Sequence, residues 1–151
     1  MIVNTAYIYM GSGGGGGGGG TPVNPNLWQD GVSNYPVKFT NKSSISSKYL
    51  NLTYGGGSAA FSELLLTGFN SLTITVYRGG NTYYNIPIKI EFFNSSGQLL
   101  GTETATFTYS SMSTTPPQTV NIPSAAKIQN AIIKMTNDSS KAVKFASAVL
   151  S

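Results

Sequence analysis

Apolar and polar residues alternate along most of the chain beyond Leu27, in short stretches separated by clusters of Gly, Asn, Ser and Pro. A period of two sends successive side chains to opposite faces of an extended backbone, and its repetition at short intervals predicts an all-β sandwich. Leu72, Ile74 and Val76 against Thr73, Thr75 and Tyr77 are the clearest case. Ile86, Ile88, Ile90 and Phe92 mark a second inward face, with Lys89 and Glu91 pointing out. Asn94-Ser-Ser-Gly97 then turns the chain into a Thr-rich return strand over residues 98–108, making a hairpin. Further strands are expected over residues 35–39, 119–123, 128–135 and 143–150. Another covers residues 49–54, with Leu50 and Leu52 opposite Tyr49, Asn51 and Thr53. Residues 61–66 fit either a strand or one helical turn, and Gly79-Gly80 suits a tight hairpin turn. No apolar pattern keeps a helical period beyond two turns. With one apolar face per sheet to cover, two stacked antiparallel sheets are the economical solution.

The first ten residues and the glycine run after them stand apart from that pattern. Ile2 to Tyr9 is rich in β-branched and aromatic residues and reads as an extended strand, with Val3, Thr5, Tyr7 and Tyr9 on one face. A lone strand needs a partner for its backbone N–H and C=O groups, so these four are the expected docking residues toward another surface. Gly13, Gly14, Gly15, Gly16, Gly17, Gly18, Gly19 and Gly20 follow without interruption. Glycine lacks a Cβ and loses the most backbone entropy on ordering, so this run forms neither helix nor strand on its own. Two readings stay open: a tether with a root-mean-square span of about 17 Å, or a polyproline II-like strand packed against copies of itself. The expected organisation is a docking strand at 1–10, a Gly/Pro-rich linker at 11–26 and a β-sandwich domain at 27–151.

Composition narrows the chemistry. Nine Lys and Arg stand against five Asp and Glu in 151 residues, but the cations are scattered and form no nucleic-acid footprint. The first 29 residues carry no charged side chain, which suits a segment laid into a partner. Cysteine and histidine are both absent, removing disulfides, thiol nucleophiles, the commonest general base and the commonest metal ligand. Residues 1–10 lack the basic region and cleavage pattern of a signal peptide, and no apolar run is long enough to cross a bilayer. Synthesis and folding in a cytoplasm are therefore expected.

Two resemblances attach to specific stretches. Leu72-Thr-Ile-Thr-Val-Tyr77, Ile88-Lys-Ile-Glu-Phe-Phe-Asn-Ser-Ser-Gly97, Val120-Asn-Ile-Pro-Ser124 and Ala131-Ile-Ile-Lys-Met135 resemble the jelly-roll sandwich of discoidin-like domains and carbohydrate-binding modules. Met1-Ile-Val-Asn-Thr-Ala-Tyr-Ile-Tyr-Met-Gly11 and its glycine-rich continuation resemble small tail-region virion proteins of phages and prophages. The first resemblance implies a non-catalytic sandwich that in many relatives holds a structural calcium ion; here Asp30 and Asp138 are the only loop carboxylates to offer one. The second implies a tail fibre, baseplate-associated or decoration protein that repeats by symmetry, works beside other virion proteins and copies of itself, and sits at the virion surface.

No enzyme is expected. Glu91 and Glu103 lie in one hairpin and could be cross-strand neighbours on one face, the arrangement a glycosidase would need; the competing reading makes them surface charges, one of them paired with Lys89. Glycan contact is the more plausible chemistry, because sugars stack on exposed rings while amides and hydroxyls read their hydroxyl groups. Tyr83 and Tyr84, flanked by Asn81 and Asn85, are the expected platform. Trp28 is expected to anchor the linker on the sandwich. No cofactor, metal, nucleic acid or membrane insertion enters this reading, and its alternatives are a ligand-free capsid decoration or head-fibre protein and a free carbohydrate-binding module.

Overall fold

A computed structural model of the chain describes residues 23–77, 84–109 and 115–151. The expected docking residues Val3, Thr5, Tyr7 and Tyr9 and the run Gly13 to Gly20 lie outside the described residues.

Twelve strands form two five-stranded antiparallel sheets and one small hairpin among the described residues. The hairpin comes first, from β1 (Trp28–Gln29) and β2 (Val32–Ser33). The chain then lays down β3 (Val37–Thr40), β4 (Ser44–Ile45), β5 (Leu50–Leu52), β6 (Gly57–Leu65) and β7 (Ser71–Val76). After these come β8 (Tyr84–Asn94), β9 (Leu99–Tyr109), β10 (Gln118–Asn121), β11 (Asn130–Asn137) and β12 (Val143–Leu150). The first sheet has the order β10-β7-β12-β5-β4 and the second β3-β6-β11-β8-β9. This is the two-sheet antiparallel sandwich that the alternation implies, in the jelly-roll-like form that the first resemblance implies.

Inward positions follow the period of two. Leu72, Ile74 and Val76 of β7 face Ile86, Ile88, Ile90 and Phe92 of β8 across a core closed by Phe61, Phe107 and Phe145. Phe107 and Phe145 meet at 5.2 Å between ring centroids, joining the two sheets. Trp28 lies 6.0 Å from Phe61 with the rings 17° from parallel, so the residue expected as an anchor serves as one.

Strand β6 explains why its sequence was ambiguous. Ser62 and Glu63 together oppose Ile132, a bulge between the pairs Phe61↔Ile133 and Leu64↔Ala131, and Glu63 takes a left-handed φ of 59°. The extra residue brings Phe61 and Leu64 to the same side at a spacing of three, which imitates a helical turn.

The hairpin β8–β9 corrects one expectation. Glu91 pairs with Thr102, and Glu103 with Ile90. A one-residue offset reverses the face, so Glu91 and Glu103 point to opposite sides of the sheet and cannot flank one bond. Glu91 instead meets Lys89 at 3.6 Å, the surface pair of the competing reading.

Of the segment expected as a linker, residues 23–26 are described, and they are tied to the sandwich. Strand β5 covers the edge of β12 only from Val143 to Phe145. Beyond that the incoming chain takes its place: Leu150 N–H donates to Pro25 O (2.8 Å), Leu27 N–H donates to Ala148 O (3.0 Å), and Asn26 bridges Val149. The buried Tyr35 hydroxyl donates to Asn24 O at 2.6 Å, and loss of solvent pushes this phenol from its ordinary 10.0 up to about 12.

These contacts fix a direction. Residue 23 enters beside Leu150 and Ser151, whose backbone also bonds Asn70 and Ser71. Tyr77 and Lys144, joined by a 2.8 Å backbone bond, lie at the other end of the same two strands. Six residues of β12 at about 3.3 Å each separate these ends by ~20 Å.

Candidate functional site

The outward face of the first sheet carries the most chemically distinctive surface among the described residues. The alternation that buries Leu72, Ile74 and Val76 turns Ser71, Thr73 and Thr75 outward, and Thr73 shares a 2.8 Å hydroxyl contact with Thr119 of β10. On β5, Asn51 faces outward between the buried Leu50 and Leu52 and opposes the exposed Lys144. The partners on this face are therefore hydroxyls, amides and an ammonium group.

Two tyrosines stand on it. Tyr49 and Tyr77 lie 5.2 Å apart between ring centroids with their planes inclined at 47°, and the Lys144 ammonium sits 4.7 Å from the Tyr49 centroid. A cation against a ring face is attracted by the ring quadrupole and limits the ring's freedom, which prepares it to receive an apolar surface. Ser46 fixes the Tyr49 backbone: its Oγ accepts from Lys48 N–H (3.3 Å) and Tyr49 N–H (3.2 Å), while its N–H donates to Tyr49 O (2.9 Å). The turn between β4 and β5 is thus held from inside.

A cleft of about 280 Å³ adjoins the pair, lined by Asn26, Trp28, Gln29, Asp30, Ser47, Lys48, Ala146 and Ser147. Its Lys48 precedes Tyr49, and its floor is the part of β12 that follows Lys144 and Phe145. A register shift between Phe145 and Ser147 breaks the alternation there and leaves both Ala146 and Ser147 at the surface. The wall formed by β1 and β2 depends on one glycine. Asp30 and Gly31 both have positive φ, 52° and 80°, the two-residue turn that suits a tight hairpin. A Cβ on Gly31 would lie 3.1 Å from both Ser47 Cα and Ser47 N, so the hairpin tip rests directly on the opposite wall.

The residues expected as a platform are distributed differently. Asn81 and Tyr83 lie outside the described residues. Tyr84 opens β8 opposite Tyr109, at the end of the sandwich where Tyr77 leaves β7. Asn85 is exposed, and its Oδ1 accepts from Thr108 Oγ1 at 2.8 Å across the hairpin. Tyr35 and Tyr109 are buried, whereas Tyr54 is 62% exposed at the turn ahead of β6. Asp30 borders the cleft, while Asp138 lies beside Gly56 in the loop ahead of β12, so the two loop carboxylates belong to separate places. Among the described residues no three Asp, Glu, His or Cys side chains gather where a metal ion would sit.

The chain matches no known protein-family profile and no curated protein. Solved structures resemble it in fold. A carbohydrate-binding module specific for non-crystalline cellulose, CBM28, shares 14% identity over 87% of this chain and 94% of its own, with a TM-score of 0.49. The module CsCBM6-3 from Clostridium stercorarium, solved with cellobiose, shares 16% over 78% of this chain and 93% of its own, with a TM-score of 0.46. The CBM22-1 and GH10 modules of a Clostridium thermocellum xylanase, complexed with xylohexaose, share 10% over 77% of this chain, with a TM-score of 0.48; this chain spans 24% of that protein.

Proposed function

We propose that the protein is a non-catalytic glycan-binding module whose ligand lies on the outward face of the first sheet, across Tyr49 and Tyr77 and into the adjoining cleft. The observation that carries this reading is the ring pair itself. Two tyrosines 5.2 Å apart stand among Asn51, Thr75, Ser147 and the cleft's Asn26, Gln29 and Ser47. Rings give the apolar face of a pyranose a surface to stack on, and convergent amides and hydroxyls satisfy its hydroxyl groups. Tyr83 and Tyr84, in and just beyond the connection that follows Tyr77, are proposed to extend the platform. Affinity electrophoresis of the full chain through gels containing soluble polysaccharides tests the reading. Retardation by at least one polymer is expected, with Tyr49→Ala and Tyr77→Ala each weakening it about tenfold, the equivalent of ~1.4 kcal/mol. Equal retardation of wild type and both variants would remove this face from the function.

The N-terminal segment favours a second element of the reading: the sandwich is displayed from a larger assembly, as on a virion. The first 29 residues carry no charged side chain, and the described chain enters at residue 23 beside Leu150, about 20 Å along β12 from Lys144. An attachment there would leave Tyr77 and Lys144 at the opposite end of β7 and β12 from the anchor. Many copies on one particle would gain avidity from individually weak contacts. Deleting residues 1–20 should leave polysaccharide binding intact while abolishing incorporation into particles.

A further inference from the structure

The charges around the tyrosine face point to the kind of glycan. Lys144 lies over Tyr49, and Lys48 lines the cleft beside it. Both side chains are exposed, and among the described residues neither has an ion-pair partner within 4.0 Å; the ion pair found there, Lys89–Glu91, is on the other sheet. Asp30 is the carboxylate bordering the cleft, and among the described residues it too has no ion-pair partner within 4.0 Å. A ligand stacked on the rings displaces part of the water around both ammonium groups, and a cation that loses water without gaining a counter-charge is less stable. A ligand that brings its own negative charge recovers that cost. The overall balance, nine cationic side chains against five anionic, favours the approach of such a ligand.

We infer that the ligand is an anionic glycan, with the negative charge carried on the sugar chain as a uronate carboxylate or a phosphodiester. The anionic group meets Lys144 and Lys48, a ring face stacks on Tyr49 and Tyr77, and a hydroxyl donates to the Asp30 carboxylate. This rests on the glycan-binding reading above and narrows it. A neutral glycan would leave two ammonium groups, Lys48 and Lys144, with one nearby carboxylate, Asp30.

The test compares the full chain with Lys48→Gln, Lys144→Gln, their double variant and Tyr49→Ala in affinity electrophoresis. The probes are polygalacturonate for uronate, phosphomannan for phosphodiester, hydroxyethylcellulose as a neutral polymer and poly-glutamate as a charged polymer without sugar. Thermal melts confirm that each variant is folded. Retardation by polygalacturonate or phosphomannan is expected, and whichever acts identifies the source of the charge. The double lysine variant and Tyr49→Ala should each weaken it tenfold or more, and raising NaCl from 50 to 300 mM should weaken it further. Retardation by hydroxyethylcellulose with the lysine variants unaffected would overturn this inference and leave the glycan reading standing. Retardation by poly-glutamate equal to that by the glycans, or anionic-glycan binding indifferent to Tyr49→Ala, would reduce the effect to charge attraction and overturn it. Failure to bind any glycan of the panel would overturn both.

Discussion

Replacing Asn137 by Asp exchanges a few atoms at a point where four hydrogen bonds converge. Asn137 is fully buried at the end of β11. Its Nδ2 donates to Leu52 O (3.2 Å) and Lys141 O (2.8 Å), while its Oδ1 accepts from Ser139 N–H (3.1 Å) and Ser139 Oγ–H (2.7 Å). This one amide therefore ties the loop ahead of β12 to β5, the strand that follows Tyr49. An aspartate keeps the acceptor but sets a second oxygen against two carbonyl oxygens. Two lost donor bonds at about 1 kcal/mol each, plus ~1–3 kcal/mol for a buried charge facing unsatisfied acceptors, give a loss of about 3–5 kcal/mol at pH 7. Protonation restores one donor, so the folded state favours the neutral carboxyl and the deficit shrinks as pH falls through the acid range. Urea unfolding of wild type and variant at pH 7 and pH 4, with equal m-values required, measures both effects. A variant within 0.5 kcal/mol of wild type at pH 7 would refute the assignment of the loop's order to this side chain.

Two other perturbations probe the support of the site. Gly31→Ala forces an alanine to a φ of 80° and drives its Cβ to 3.1 Å from Ser47 backbone atoms. It should cost about 2 kcal/mol in thermal unfolding, the scale of a left-handed non-glycine residue plus a displaced wall, and weaken any ligand held in the cleft; an unchanged melting temperature would contradict that packing. Tyr35 keeps its proton in the folded state up to about pH 12, whereas in the unfolded chain it loses it near 10.0. Its contribution is therefore complete below pH 10 and declines by roughly 1.4 kcal/mol per pH unit as pH rises toward the folded value. Tyr35→Phe should be about 1 kcal/mol less stable at pH 7, through loss of the bond to Asn24 O. It should overtake wild type at pH ~10.7, and a stability difference that stays flat with pH would contradict the assignment.

What the sequence makes legible is whatever depends on a local period. Strand β12 covers the expected residues 143–150, and Leu72, Ile74 and Val76 face inward as their alternation requires. The ion pair of Glu91 with Lys89 follows from two residues at a spacing of two on one strand. Where a bulge adds a residue, as at Ser62 and Glu63, the period slips and a strand reads equally as a helical turn. The hairpin of β1 and β2 has strands of two residues each, too short to show any period. The site was half visible. Tyr49 falls opposite Leu50 and Leu52, and Tyr77 continues the row of Thr73 and Thr75, so both rings were legible as outward-facing. That they meet, with Lys144 beside them, depends on β12 lying between β5 and β7, an order set by closure of the whole sandwich and written in no local pattern.

The most direct test of the central claim is titration calorimetry of the full chain, with Tyr49→Ala and Tyr77→Ala in parallel, against oligosaccharides cut from whichever polymer retards the wild type. Binding by the wild type with at least tenfold weaker binding by both folded variants is the predicted result. Binding of undiminished strength in both would place the ligand elsewhere on the molecule and contradict the assignment of this face.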